Sequence, residues 1–242
     1  MSFLAIFEDA AATNFLPLTW TRPVWDLRCG IWTLREAIEE AYGQPADALF
    51  VRDFLADVVR ERTKLPVNEP SLLRSPAAKS ATQPWEGNVK AGMYLLLNGR
   101  LLASPQMAQS LPMSGEPCRF VTPPTPIRCP ELAEGLGGEG AEGTLLGAWV
   151  PAELLREGWQ AIDALPAKEV EWPLVQWPWE LFHQNGAQIT VQAQQKWALG
   201  NLSALNHDHP GVHLLHPEQI FVHPTARLMP GVVLDASDGP IV

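Results

Sequence analysis

Residues 16–30, LPLTWTRPVWDLRCG, hold Arg22 and Arg28, and Arg35 follows shortly after. Arginine suits phosphate, because its planar fork stays charged and can grip two oxygens at once. On residue types alone, these arginines fit either a cradle for an anion or a packed turn with solvated guanidiniums. Glu8 and Asp9 offer carboxylate oxygens that could ligate a metal or simply end a strand. Asn98, before Gly99, fits a ligand contact or a turn. His207, His209, His213 and His216 with Asp208 are zinc-ligand types, but HxHxxxH in a Pro-Gly stretch is not diagnostic and reads as a hydrated linker. The run GLGGEGAEG carries two glutamates and no lysine, so it reads as a surface loop rather than a phosphate cradle. No GxSxG elbow is present.

The apolar run Phe3-Leu4-Ala5-Ile6-Phe7, stopped by Glu8-Asp9, predicts a buried strand ahead of the arginine loop. Thr33 and Glu36 form a capping-box pattern that opens a helix through Leu34, Ala37, Ile38 and Ala41, closed by Gly43. Residues 48–51 predict a second strand. Phe54, Leu55, Val58 and Val59 predict a second helix. Further strands are expected at 93–102, at Phe120-Val121 and at 144–149. A helix should run from Leu154 through Trp159 and Ile162 to Leu165. A short one should run from Pro178 to Gly186, with Trp179, Leu181 and Phe182 as apolar anchors, Trp179 and Phe182 being read as core rather than as a sugar-stacking platform. This order predicts an α/β domain with a mostly parallel sheet and a ligand beyond the carboxyl ends of its strands.

The tail changes character. Val222, Leu228 and Leu234 recur at intervals of six, with Ala226 and Val232 each two places before an anchor. That period marks a parallel β-helix, of which this tail gives about one rung. Stacked rungs need neighbours, so the chain is expected to be a shortened form or to receive further rungs from elsewhere. Two parts are expected, residues 1–205 and residues 206–242.

The bulk numbers narrow the function. The chain has 242 residues, 46 % hydrophobic, enough for a large core. A formal net charge of −10 excludes a broad basic face for nucleic acid, though not a local phosphate site. Three cysteines without a CxxC pair predict reduced thiols, and hence a cytoplasmic protein. No run is long enough to span a bilayer and the N-terminus lacks a basic n-region, so no membrane role is expected.

The segment FLPLTWTRPVWDLRCGIWTLREAIE resembles the loop and helix of sugar nucleotidyltransferases. It is most similar to a diverged branch that carries a left-handed β-helix after the catalytic domain. That branch includes bifunctional UDP-N-acetylglucosamine diphosphorylase/glucosamine-1-phosphate acetyltransferases. LLLNGRLL, WPWELFHQNGAQI and PEQIFVHPTARLMPGVVLDASDGPIV agree in order. The resemblance implies a Rossmann-like mixed sheet flanked by helices, then a first β-helix rung. It implies nucleotidyl transfer to a sugar 1-phosphate, with UTP, N-acetylglucosamine 1-phosphate and Mg²⁺ as reactants and cofactor. It places Leu16, Thr19, Thr21 and Arg22 over the nucleotide phosphates, with Arg22 and Arg28 as catalytic cations. Asn98 would approach the sugar and the metal, and Asn185 the sugar; no metal ligand is assigned, Asp9 being a weak candidate from its position after the first strand alone. Acetyl transfer is not expected, since its rungs are not in this chain, and a trimer is expected if the β-helix is completed.

The departures from that pattern are specific. EDAAATN stands in place of a glycine-rich loop, Val24 in place of the lysine after Pro23, Arg100 in place of a metal-binding aspartate, and Gln192 in place of a later one. The rival expectation is a non-catalytic module that binds a sugar nucleotide or caps a β-helix.

Overall fold

In a computed structural model of the chain, residues 2–68, 91–123, 143–198, 210–222, 226–239 and 241 are described. Most of the glycine-rich run, Cys129, and the histidine group's 207–209 portion lie outside them. Two compact units are present, Met1–Thr190 and Val191–Val242.

The first unit is built on a six-stranded sheet of order β4-β1-β5-β7-β6-β8. Its strands are β1 (Ser2–Phe7), β4 (Ala48–Phe50), β5 (Met93–Asn98), β6 (Cys118–Val121), β7 (Leu145–Pro151) and β8 (Ala167–Glu169). β4, β1 and β5 are parallel, and β7 alone runs against its neighbours β5 and β6. A separate hairpin pairs β2 (Arg28–Cys29) with β3 (Trp32–Thr33).

Both faces of the sheet are covered, so the central strands are apolar throughout instead of alternating. Leu4 and Ile6 of β1 with Leu95 and Leu97 of β5 face one core, which also holds Trp25, Leu34, Ile38 and Val59. Phe3, Ala5 and Phe7 with Tyr94 and Leu96 face the other, beside Leu155 and Ile162.

Helix α1 (Leu34–Tyr42) forms as the capping pattern predicts. Thr33 accepts from the Glu36 amide at 3.2 Å, and Glu36 accepts from the Thr33 amide at 2.7 Å. Gly43 closes the helix at φ 63°, where a Cβ would be strained. Helix α2 (Ala56–Thr63) follows a 3-10 turn. Of the four apolar residues, Leu55 in the turn and Val59 in the helix are buried, while Phe54 and Val58 are exposed, because one face of this segment cannot bury all four. Helix α3 (Pro105–Ser110) precedes β6.

Three expectations need correction. The helix predicted over 154–165 is split at Gly158 (φ 95°) into α4 (Ala152–Glu157) and α5 (Trp159–Asp163). The helix predicted to stop at Gly186 continues as α6 (Pro178–Ala198). A mid-helix glycine costs only about 1 kcal/mol relative to alanine, too little to end a helix whose next residues are Ala, Gln and Ile. Trp179 and Phe182 are not core residues, being 56 % and 81 % exposed. Leu181 and Asn185 share the face of α6 turned toward the hairpin, and Trp179 and Phe182 fall off that face.

In the second unit, β9 (His213–Leu215) pairs in parallel with β10 (Val233–Asp235), matching Leu214 with Leu234. Ile220 and Ile241 form a further parallel bridge. No helix among the described residues is long and apolar enough to cross a membrane.

Candidate functional site

The carboxyl ends of β4, β1 and β5 are neighbours, and each is followed by charged or polar residues. Arg52 lies just beyond β4, Glu8 and Asp9 follow β1, and Asn98 and Arg100 stand at the end of β5. All five are buried. Buried charges persist only when paired and hydrogen-bonded, and these are.

Glu8 and Arg52 form one ion pair. Arg52 Nε donates to Glu8 Oε2 at 3.0 Å and Nη2 to Oε1 at 3.3 Å. Glu8 also accepts from the amides of Val24 (2.6 Å) and Arg52 (3.3 Å). Burial pushes the Glu8 carboxyl above its usual value, against the opposing pull of the Arg52 guanidinium and these amides. Arg52 Nη2 reaches further, to the carbonyls of Thr19 (2.8 Å) and Arg22 (3.4 Å). One carboxylate–guanidinium unit thus grips the arginine loop at residues 19, 22 and 24.

Asp9 and Arg100 form the second pair. Arg100 Nε donates to Asp9 Oδ1 at 2.9 Å, Nη2 donates to Asp9 Oδ2, and Nη1 donates to the Val175 carbonyl at 2.9 Å. Asn98 completes the knot. Its amide nitrogen donates to Asp9 Oδ2 (2.7 Å) and to the Leu145 carbonyl (2.9 Å), and its oxygen accepts from the Arg100 amide (3.0 Å). Removing one member of such a buried pair costs about 3–5 kcal/mol, because the other charge is left unmatched. Gly99 lets this turn lie against the core: a Cβ there would stand 2.7 Å from Trp25 Cε3.

The expected residues divide into distinct places. Asp9 and Asn98 are in direct contact. Thr19 and Arg22 offer their backbone carbonyls to Arg52, which pairs with Glu8, the residue before Asp9. The Thr19 side chain points inward, its hydroxyl donating to the Ala12 carbonyl at 3.0 Å, whereas Leu16 and Thr21 are exposed. Leu16-Pro17 is a cis peptide. Arg22 is exposed, and among the described residues its guanidinium makes no hydrogen bond or ion pair.

Arg28 and Asn185 belong to the β2–β3 hairpin instead. Arg28 Nη1 donates to the Ile31 carbonyl, and Asn185 Oδ1 accepts from the Gly30 amide at 2.8 Å. No described bond links them to Asp9 or Asn98. Arg35 lies on α1 with Nε 3.7 Å from Glu39. Cys29 is buried, and burial pushes its thiol up, away from a reactive thiolate.

The residues present do not fit a magnesium site. Mg²⁺ demands near-octahedral oxygen ligands at about 2.0–2.1 Å. Both Asp9 oxygens already accept from Arg100, both Glu8 oxygens accept from Arg52, and the Asn98 oxygen faces the Arg100 amide. Among the described residues there is no group of three or more His, Cys, Asp or Glu able to hold a metal.

Arg52 escaped the sequence reading, and Arg100 stood there only as a departure from the family pattern. The available signal was position: each stands two residues past the end of a parallel strand, where a basic side chain can face the carboxylates at the end of β1.

Residues 4–121 match the profile of the family described as sugar nucleotidyl transferase. No curated protein matches the chain. Among solved structures, the chain is similar to the inositol-1-phosphate CTP transferase from T. maritima. That match has 12 % identity and TM-score 0.44 and covers 81 % of this chain and 97 % of the other. A Bacillus anthracis protein described as a glucose-1-phosphate thymidylyltransferase matches at 8 % identity and TM-score 0.41, covering 77 % and 94 %. The 4-diphosphocytidyl-2C-methyl-D-erythritol synthase from Anaerococcus prevotii matches at 10 % identity and TM-score 0.39, covering 77 % and 98 %.

Proposed function

We propose that this chain is a sugar nucleotidyltransferase that joins a nucleoside triphosphate to a sugar 1-phosphate and releases pyrophosphate. UTP and N-acetylglucosamine 1-phosphate are the proposed pair. The observation that carries the reading is the loop of residues 16–23, within the matched segment, held over the end of β1 with Arg22 turned to solvent and unpaired among the described residues.

The chemistry is an in-line displacement at the α-phosphorus, in which placement and neutralisation of spreading charge do most of the catalysis. Arg22 supplies the exposed positive charge. The Glu8–Arg52 unit fixes the loop backbone, so that Arg22 meets the phosphates from a set position. Thr21 and Leu16 line the exposed side of the loop. Magnesium is retained only as the counter-ion of the triphosphate, not as an ion on these carboxylates.

A second reading has its own observation. Because Arg100 neutralises Asp9, the strand ends hold no free carboxylate for metal-assisted turnover among the described residues, which favours a module that binds a sugar nucleotide without reacting it. The β9–β10 pairing supports taking residues 206–242 as the start of a hexapeptide β-helix, through which copies would assemble.

The test is to incubate the protein with UTP, Mg²⁺ and N-acetylglucosamine 1-phosphate and measure pyrophosphate and UDP-sugar. The transferase reading expects turnover that falls at least about tenfold in Arg22→Ala, with the fold intact. Nucleotide binding without turnover selects the second reading. No binding of UTP or UDP-N-acetylglucosamine sinks both.

A further inference from the structure

We infer that the Arg100 guanidinium holds the place of a divalent cation at the end of β1, so that this protein binds its anionic ligand without a protein-bound metal. The ligand in question rests on the nucleotidyl reading above, while the exclusion of the ion does not.

The geometry behind this is a full set of engaged oxygens. Asp9 receives Arg100 on both oxygens and Asn98 on one of them. Its neighbour Glu8 receives Arg52 on both, plus two backbone amides. Asn98, which could have offered an oxygen, presents its nitrogen to Asp9 and turns its oxygen to the Arg100 amide. Arg100 is only 1 % exposed, so it cannot swing into solvent to make room. A divalent ion at Asp9 would have to break the two-pronged pair and then sit against a buried positive charge, a repulsion that low-dielectric surroundings amplify.

The pairing also sets the charge that a ligand meets. Glu8 and Asp9 cancel Arg52 and Arg100, so this group of four contributes no net charge. Among the described residues, the attraction that this loop offers an anion comes from Arg22, whose charge also acts on Asp26, and from the loop's backbone amides, and neither depends on a metal. A nucleoside diphosphate sugar, with two fewer charges to neutralise than a free triphosphate, suits such a site.

Two measurements test this on the full chain. The first is Mn²⁺ titration of the protein alone, followed by electron paramagnetic resonance. Wild type is expected to show no stoichiometric site, and Arg100→Met, by freeing Asp9, to gain one. A stoichiometric site in wild type that Asp9→Asn abolishes overturns the proposal, as does a folded Arg100→Met with no gain. If Arg100→Met does not fold, the wild type and Asp9→Asn comparison decides alone.

The second is calorimetric titration with UDP-N-acetylglucosamine in Mg²⁺ and again in EDTA. The two affinities should agree within about twofold, and a tenfold loss in EDTA overturns the proposal. Absence of nucleotide binding in either buffer counts against the nucleotidyl reading and leaves the Mn²⁺ result to decide the ion.

Discussion

The guanidinium of Arg52 lies two-pronged on Glu8, at 3.0 and 3.3 Å, and the same Nη2 donates to the Thr19 carbonyl at 2.8 Å. A residue after β4 therefore controls the backbone of a loop after β1, through a carboxylate that both share. Arg52→Met should release that loop and leave Glu8 buried without its partner. The expected stability loss is about 3–5 kcal/mol by denaturant titration. Faster amide exchange should extend across residues 19–24. Unchanged exchange there would mean that the loop holds its shape without Arg52.

The Asp9–Arg100 pair makes a second prediction, through a double-mutant cycle. Asp9→Leu and Arg100→Met should each destabilise by about 3–5 kcal/mol, because each strands a buried charge. The double variant should be less destabilised than the sum of the singles, since neither charge remains. Strict additivity would show that the two groups do not interact.

Gly99 packs on Trp25. Gly99→Ala drives a Cβ to 2.7 Å from Trp25 Cε3 and 3.1 Å from its Cβ. Neither Trp25, fully buried, nor the Asn98–Arg100 turn can shift freely. A loss of about 1–3 kcal/mol is expected, with a change in tryptophan fluorescence. A neutral substitution would show that this contact has slack.

Helix α1 carries a pH signature. The Thr33 amide, donating to Glu36, holds the Glu36 carboxyl below its ordinary value of 4.5, and the Thr33 hydroxyl adds to this. A depressed carboxylate contributes stability that is present above its unfolded value and is lost as pH falls through its folded value. Stability measured downward from pH 5 should therefore fall less steeply in Glu36→Gln than in wild type. Thr33→Ala should cost about 1 kcal/mol at neutral pH. Equal slopes for wild type and Glu36→Gln would show that the carboxylate is unperturbed.

Local patterns carried much of the fold. The apolar runs at 3–7 and 48–50 are strands because both sheet faces are covered, and periodicity of that kind needs no distant partner to be legible. The Thr33–Glu36 box and Gly43 bound α1 because capping is a contact between residues three or four apart. Gly158 and Gly186 show the limit of this logic. Both are glycines in helical sequence, yet only Gly158 breaks its helix, at φ 95°.

The sequence by itself determined which residue types stand at the strand ends, and that the arginine loop follows the first strand. It could not determine which charges meet. Glu8 with Arg52 and Asp9 with Arg100 are separated by 44 and 91 residues along the chain. Only the parallel alignment of β4, β1 and β5 brings their carboxyl ends side by side. Likewise, Trp179 and Phe182 carry an apolar signal that sequence assigns to the core. The orientation of α6, fixed by Leu181 and Asn185 against the β2–β3 hairpin, leaves both exposed. Ion pairing and burial are properties of neighbours in space, and in this chain those neighbours come from strands far apart in sequence.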